Sequence, residues 1–131
     1  MLPVPVLLLA GLGSGLGAVG RYLVDQAFGD PTRSVLVINL SGSAALGLLI
    51  GLTASVSTFQ PRHRFSRLIG FVGAGLLGGF TTFSTPMVAT AAAAQVSSTA
   101  LTQWATLLGL QVLIGVLLAW CGYRLGQLAR S

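Results

Sequence analysis

The sequence predicts an all-α membrane protein built from four transmembrane helices. Of its 131 residues, 53% are hydrophobic and only 7% are charged, whereas a soluble domain has about 25% charged residues. A helix that crosses the hydrocarbon core takes about 20 residues, so this length holds four spans with short connections. We predict spans over residues 4–24, 34–57, 68–94 and 104–123, which together form one integral membrane domain.

The first span contains the glycine-rich stretch GLGSGLGAVGRY, residues 11–22. Its glycines fit the dinucleotide pattern G-x-G-x-x-G, but that motif needs a preceding strand and a following acidic residue in a βαβ unit. Neither context is present, whereas small residues spaced four apart favour close packing of two helices. No basic residue precedes Arg21, so we expect this span to remain as a helix rather than to act as a signal peptide.

Arg21 lies near the end of the first span. A charged side chain inside an apolar membrane helix is energetically costly unless it is paired or reaches water. The Arg21 side chain can extend to the lipid headgroups. Alternatively, its guanidinium places a positive charge at the mouth of an anion path. The residues alone leave both interpretations open.

The second span carries no charge but holds Asn39 in the stretch INLSGS. An amide in the middle of a membrane is costly unless it is hydrogen-bonded. The amide can bond to another helix, or it can donate to water or an ion in a path.

The third and fourth spans lie within residues 68–123, which carry no charge. The polar stretch at residues 95–103 is the natural boundary between them. The third span contains GAGLLGGFTTFSTPMV, residues 73–88, in which a glycine pair and Pro86 weaken the helical hydrogen bonds. We therefore expect a helix that is broken in mid-membrane, where backbone lines a cavity or binds ions; a simple kink is the alternative.

The loop charges predict one orientation. With four spans, both termini and the basic loop at residues 58–67 lie on one side of the membrane. That side carries five arginines: Arg62, Arg64, Arg67, Arg124 and Arg130. The opposite side carries Arg33 in the loop between the first two spans. Because positive loops stay inside, we expect a cell membrane protein with both termini in the cytoplasm.

Several function classes are disfavoured by residues that the spans lack. They contain no Asp, Glu, His or Lys, so a proton relay has no ionisable group and an enzyme has no positioned base or metal cluster. The arginines flank apolar runs rather than forming a basic surface, which disfavours nucleic acid as a partner. Passive conduction fits better than pumping, and the amide, hydroxyl and guanidinium donors suit a small anion.

These motifs together resemble the Fluc (CrcB-type) fluoride channel family. The resemblance covers essentially the whole chain, through GAVGRY in the first span, INLSGS in the second and GGFTTFST in the third. It implies passive fluoride export by an antiparallel, double-barrelled dimer. It also implies a central structural sodium ion, held by the backbone carbonyls of Gly78 and Thr81 and their equivalents in the partner.

The resemblance assigns the fluoride pathway to five residues. Asn39 matches the pore asparagine, Phe83 matches the first of two phenylalanines whose ring edges face fluoride, and Arg21 matches the vestibule arginine. Ser84 and Thr85 match hydroxyls near the same path.

The chain departs from the family pattern in two places. Pro86 stands where the second phenylalanine is expected, and Leu107 and Gln111 stand where the fourth helix usually offers hydroxyls. A homodimer of antiparallel subunits needs one sequence that inserts both ways, whereas the arginines here favour one orientation. We therefore favour a heterodimer with a paralogous subunit of opposite bias, with a homodimer as the alternative. A small four-helix drug or guanidinium exporter and a non-conducting accessory subunit are the other functions considered.

Overall fold

The computed structural model describes residues 4–54 and 67–129, and these residues are predominantly helical. Within those two ranges, four segments are long and apolar enough to cross a membrane. The third of them, Ile69–Val96, contains two helices separated by three residues. The helices are α1 (Val4–Phe28), α2 (Pro31–Thr53), α3 (a π-helical stretch, Ile69–Leu77, followed by an α-helical turn, Gly78–Phe80), α4 (Ser84–Val96) and α5 (Ser98–Leu128).

A two-residue turn joins α1 to α2, where the sequence predicted a longer connection at residues 25–33. Gly29 adopts the left-handed conformation (φ 63°) that ends many helices, and its N–H donates to the Asp25 carbonyl at 3.1 Å. Asp30 then caps α2, because its carboxylate accepts from the Thr32 N–H at 2.9 Å. Pro31 occupies the first helical position, where its missing N–H costs nothing.

The polar stretch at residues 95–103 is largely helical, so α5 begins at Ser98 rather than at Trp104. Ser97 caps α5 by accepting from the Ala100 N–H at 3.1 Å. The hydroxyls of Thr102 and Thr106 donate to carbonyls four residues earlier, which keeps polar side chains bonded within the helix. The predicted basic loop at residues 58–67, apart from Arg67, lies outside the described residues, as do residues 55–57 and Arg130.

Glycines set the close packing of α1 against α3. A Cβ on Gly13 would collide with the Phe71 carbonyl oxygen, and one on Gly17 would lie 2.7 Å from the Phe80 backbone nitrogen. Gly79 on α3 makes the reciprocal approach to Ser14 on α1. The two backbones are therefore in direct contact, as small residues at four-residue spacing permit.

A second glycine contact joins α2 to α5. Cβ atoms on Gly47 and Gly51 would collide with the carbonyl oxygens of Ala119 and Tyr123, and one on Gly122 would collide with that of Ala44. Among the described helices, the pairs α1–α3 and α2–α5 thus make the most extensive contacts.

Most large apolar side chains point outward. Leu8, Leu113 and Leu117 are each more than 60% exposed, whereas Ile38 of α2 is fully buried. An outer surface of this kind suits lipid, since hydrocarbon is as apolar as leucine.

Replacing Gly17 by alanine should destabilise the fold, because the added Cβ meets the backbone of Leu76 and Phe80. Overpacking of this kind costs about 1–3 kcal/mol. Gly11→Ala is the matched control, because no atom lies within 4 Å of the added Cβ. The fraction of purified protein that stays monodisperse after heating in detergent measures the effect. Equal loss in both variants would contradict the contact.

Candidate functional site

The chain leaves helical geometry at residues Thr81, Thr82 and Phe83, between α3 and α4. Thr81 is extended (φ −74°, ψ 157°), and its N–H makes the last α-helical bond, to the Leu77 carbonyl at 3.0 Å. Among the described residues, no backbone N–H across this break bonds to the carbonyl of Gly78. The third span therefore exposes backbone groups that helices normally satisfy internally.

Asn39 of α2 forms two hydrogen bonds with the backbone of Thr82 in this break, and we call this pair of bonds the clamp. Its Nδ2 donates to the Thr82 carbonyl oxygen at 2.7 Å, and the Thr82 N–H donates to Asn39 Oδ1 at 2.8 Å. One amide side chain thus satisfies both polar backbone groups of one residue. Of the two interpretations of Asn39, the structure contains the bond to another span, and one Nδ2 hydrogen remains beyond that pair.

Gly42 lets the break approach α2 one turn after Asn39. A Cβ at this position would collide with the Thr81 Cγ2 methyl and lie 3.7 Å from the Phe80 ring. The INLSG stretch therefore places the Asn39 amide and a residue without a side chain, Gly42, on the same face of α2.

Arg21 reaches the break from α1. Its Nη1 donates to the Thr81 carbonyl at 3.5 Å, and the side chain is partly buried. The close contact of Gly17 with α3 brings α1 near enough for this reach.

A cleft of about 580 Å³ opens beside Arg21, and we call it the arginine cleft. The Thr82, Ser84 and Thr85 hydroxyls line it, and Thr82 Oγ1 lies 3.3 Å from both other hydroxyl oxygens. Asp25 also lines the cleft. Among the described residues, the lining of this cleft thus combines one cation, one carboxylate and a cluster of hydroxyls.

A second cleft of about 430 Å³ is lined by both residues of the clamp, and we call it the asparagine cleft. Asn39, Thr82, Phe83 and Gln111 line it, and none of the described residues that line it is charged. Phe83 is 64% exposed, so its ring projects into open space rather than packing in a core.

The structure divides the five predicted pathway residues between these two clefts. Arg21, Ser84 and Thr85 line the arginine cleft, whereas Asn39 and Phe83 line the asparagine cleft. The sequence did not single out the Thr82 backbone as the partner of Asn39. A buried amide requires some partner, but its spacing along the chain does not say which.

Gly78 and Thr81, the residues expected to hold sodium, both line the asparagine cleft. The Gly78 carbonyl has no backbone donor across the break among the described residues, and the Thr81 carbonyl accepts only a long bond from Arg21. Carbonyl oxygens of this kind suit a hard cation, because each oxygen has two lone pairs.

Known proteins of similar sequence share a family with this chain. The family described as "CrcB-like protein, Camphor Resistance (CrcB)" matches residues 8–123. The "Fluoride-specific ion channel FluC 1" of Ligilactobacillus salivarius is 36% identical over 121 residues, covering 89% of this chain and 96% of that relative. The "Fluoride-specific ion channel FluC 2" of Nocardia farcinica is 45% identical over 86 residues, covering 62% of this chain and 58% of that relative.

Replacing Asn39 by alanine should release the Thr82 amide. The variant leaves two backbone groups without partners, at a cost of about 1–3 kcal/mol each. Hydrogen exchange at Thr82, followed by mass spectrometry, should therefore accelerate by about tenfold or more.

Ser41→Ala is the control, because the Ser41 hydroxyl bonds only to carbonyls of its own helix. Unchanged exchange at Thr82 in Asn39→Ala would mean that the clamp does not hold the break.

Proposed function

We propose that this chain, which belongs to the CrcB-like family, is a subunit of a passive fluoride channel in the cell membrane. The family is one of ion channels, so the chain is not an enzyme. The relatives named above are called fluoride-specific channels. The observation that carries the proposal is the Asn39–Thr82 clamp, which holds hydrogen-bond donors beside two clefts.

The donors around the clamp suit a small anion. Asn39 retains one N–H, the hydroxyls of Ser84 and Thr85 are exposed, and the Phe83 ring edge is electropositive. Arg21 adds a full positive charge on the side of the arginine cleft. A carboxylate that would attract cations is missing from the described lining of the asparagine cleft.

Passive flow fits the positions of the acidic residues better than proton-coupled export. In the described ranges, Asp25 and Asp30 lie at helix ends rather than within a span. The exporter considered above needs a glutamate in the membrane, and this chain contains no glutamate.

An antiparallel dimer with a central sodium ion would use the open face of the break. Gly78 and Thr81 line a cleft that is open in one subunit. A second subunit in the opposite orientation would contribute its own pair, and the ion would supply positive charge that holds the two breaks together. The broken third span then lies at the centre of the membrane.

The arginines that flank the spans support a fixed orientation, with both termini in the cytoplasm. Arg33 lies at the start of α2, whereas the opposite side in a four-span topology carries Arg62, Arg64, Arg67, Arg124 and Arg130. Because arginine-rich loops stay in the cytoplasm, this count favours one orientation.

A paralogous partner follows from this orientation. A chain that inserts one way needs a partner that inserts the other way to form an antiparallel pair. The relatives carry the numerals 1 and 2 in their names, which is consistent with more than one such chain per organism.

A non-conducting accessory subunit is the second candidate function, and Pro86 favours it. This residue is buried in the first turn of α4, where its missing N–H is harmless. No second aromatic ring therefore follows Phe83 toward the cleft.

Two substitutions test whether this subunit lines a working pore. Phe83→Ile removes the ring edge, and Asn39→Asp places a carboxylate where the anion would pass. Each should lower fluoride efflux from liposomes by about tenfold or more, equivalent to about 1.4 kcal/mol. Phe28→Ile is the control, since Phe28 ends α1 and lines neither cleft. Unchanged efflux from both assembled variants would favour the accessory subunit.

Reconstitution of the pure chain tests the heterodimer. We expect little fluoride efflux from this chain alone and full efflux when the paralogous subunit is present. Replacing Arg62, Arg64 and Arg67 together by glutamine should raise efflux from the single chain, because the charge bias falls. Arg33→Gln is the control that strengthens the bias. Full efflux from the unaltered chain alone would overturn the heterodimer while leaving the fluoride channel intact.

A further inference from the structure

The end of α5 carries a polar and aromatic cluster that lines neither the arginine cleft nor the asparagine cleft. The Arg124 guanidinium carbon lies 5.8 Å from the centroid of the Trp120 ring, which is within the range of a cation–π contact. Beside this pair, Gln127 Nε2 donates to the Tyr123 hydroxyl at 2.9 Å. Each contact joins residues that are one helical turn apart, so all four side chains occupy one side of the helix. We call these four residues the α5 cluster.

The α5 cluster faces away from the packed side of α5. Gly122 and Gly126 are buried against α2, where an added Cβ would collide with the Ala44 carbonyl or approach the Leu48 carbonyl. In contrast, Trp120 is 59% exposed, and the Arg124 and Gln127 side chains are also exposed. The cluster therefore meets the surroundings of the subunit rather than its interior.

The packing of α5 along α2 gives the depth of the cluster in the membrane. An added Cβ on Gly115 would lie 3.3 Å from the Ser43 hydroxyl oxygen, and one turn earlier Gln111 and Asn39 line the same cleft. The two helices run in the same direction, because later residues of α5 approach later residues of α2. Gln111 is therefore level with the break, which the proposed dimer places at the centre of the membrane.

Trp120 and Arg124 fall at the boundary between the hydrocarbon and the lipid headgroups. At a rise of about 1.5 Å per residue, they lie about 14 Å and about 20 Å beyond Gln111 along α5. Half of the hydrocarbon core measures about 15 Å. The indole thus lies at the depth where membrane proteins concentrate tryptophan and tyrosine, and the guanidinium lies at the depth of the lipid phosphates.

Arg124 forms no ion pair within the described part of the chain. The sequence contains two acidic side chains, Asp25 and Asp30, and both lie where α1 meets α2, at the opposite end of the spans. Arg33 provides the contrast, because it pairs with Asp30 at 3.3 Å. An arginine at the membrane surface without an acidic partner in its own chain attracts anionic lipid.

We propose that the α5 cluster binds the headgroup of an anionic phospholipid. The Arg124 guanidinium presents paired N–H donors that match two phosphate oxygens, and its contact with Trp120 fixes its position. The Tyr123 hydroxyl accepts from Gln127 and keeps its own hydrogen for a further phosphate oxygen. The site requires a chain that spans a membrane, and it does not require that the chain conduct fluoride.

The charge of the cluster selects an anionic lipid over a zwitterionic one. Arg124 is the charged member of the cluster, so one negative headgroup neutralises it, whereas a phosphatidylcholine headgroup brings a cation of its own. Leu113 and Leu117 are 64% and 62% exposed, and they continue the same side of α5 toward the membrane centre. These two side chains supply an apolar surface for the acyl chain of the bound lipid.

Quenching of Trp120 fluorescence by brominated lipid measures the binding. The chain contains two tryptophans, so Trp104→Phe leaves Trp120 as the emitter. This variant is reconstituted in one fixed mixture of phosphatidylglycerol and phosphatidylcholine, with bromine on the acyl chains of either the first lipid or the second. We expect phosphatidylglycerol to be enriched about fivefold beside Trp120, which is equivalent to about 1 kcal/mol for one arginine at an anionic surface.

Arg124→Gln, made in the same background, should remove this enrichment. Arg33→Gln is the matched control, because it removes an equal charge that already has an acidic partner, and it should leave the enrichment unchanged. Trp120→Phe keeps Trp104 as the emitter near the start of α5, where both brominated lipids should quench equally. Each variant is first shown by gel filtration to elute as the unaltered chain does.

Equal quenching of Trp120 by the two lipids would overturn the lipid site, and so would an unchanged enrichment in Arg124→Gln. Fluoride efflux is measured separately, with the paralogous subunit present. An assembly that conducts fluoride without the lipid preference would contradict the lipid site alone. A lipid preference in an assembly that conducts no fluoride would support the lipid site and contradict the proposed function.

Discussion

The hydrogen bonds between Asn39 and Thr82 are the interaction on which this structure depends. In a membrane, each backbone N–H and C=O must find a partner inside the protein. Residues 81–83 interrupt the helix of the third apolar segment, and one side-chain amide bonds both polar backbone groups of Thr82. Among the described residues, no backbone N–H across this interruption bonds to the neighbouring Gly78 carbonyl.

Glycine makes the clamp geometrically accessible. A side chain at Gly42 would drive Thr81 away from α2, and one at Gly17 would separate α1 from the turn that precedes the break. Lipid gives little driving force for helices to associate, so close backbone contact supplies the packing energy. The glycines that fix the fold thus also fix the distance between Asn39 and its partner. Arg21 reaches the Thr81 carbonyl from α1 through the same close approach.

Much of the architecture follows from the sequence because lipid restricts the choices. Four apolar runs give four segments able to cross a membrane. The predicted ends of the spans differ from the ends of the helices, because a hydropathy pattern treats serine and threonine as loop residues. Thr102 and Thr106 bond to their own helix, so α5 continues through a stretch that composition marks as polar. Gly29 and Asp30 likewise form a shorter turn than composition indicated.

The sequence by itself determined the membrane class, the number of candidate spans, the charge bias and the polar residues that need partners. Only the tertiary structure decided which partner each one takes. Asn39 could have faced any helix, and its pairing with a residue 43 positions away depends on how close the glycines let the spans come. The division of Arg21 and Phe83 between two clefts has the same origin. Periodicity fixes which face a residue occupies, whereas cavities arise from how several faces meet.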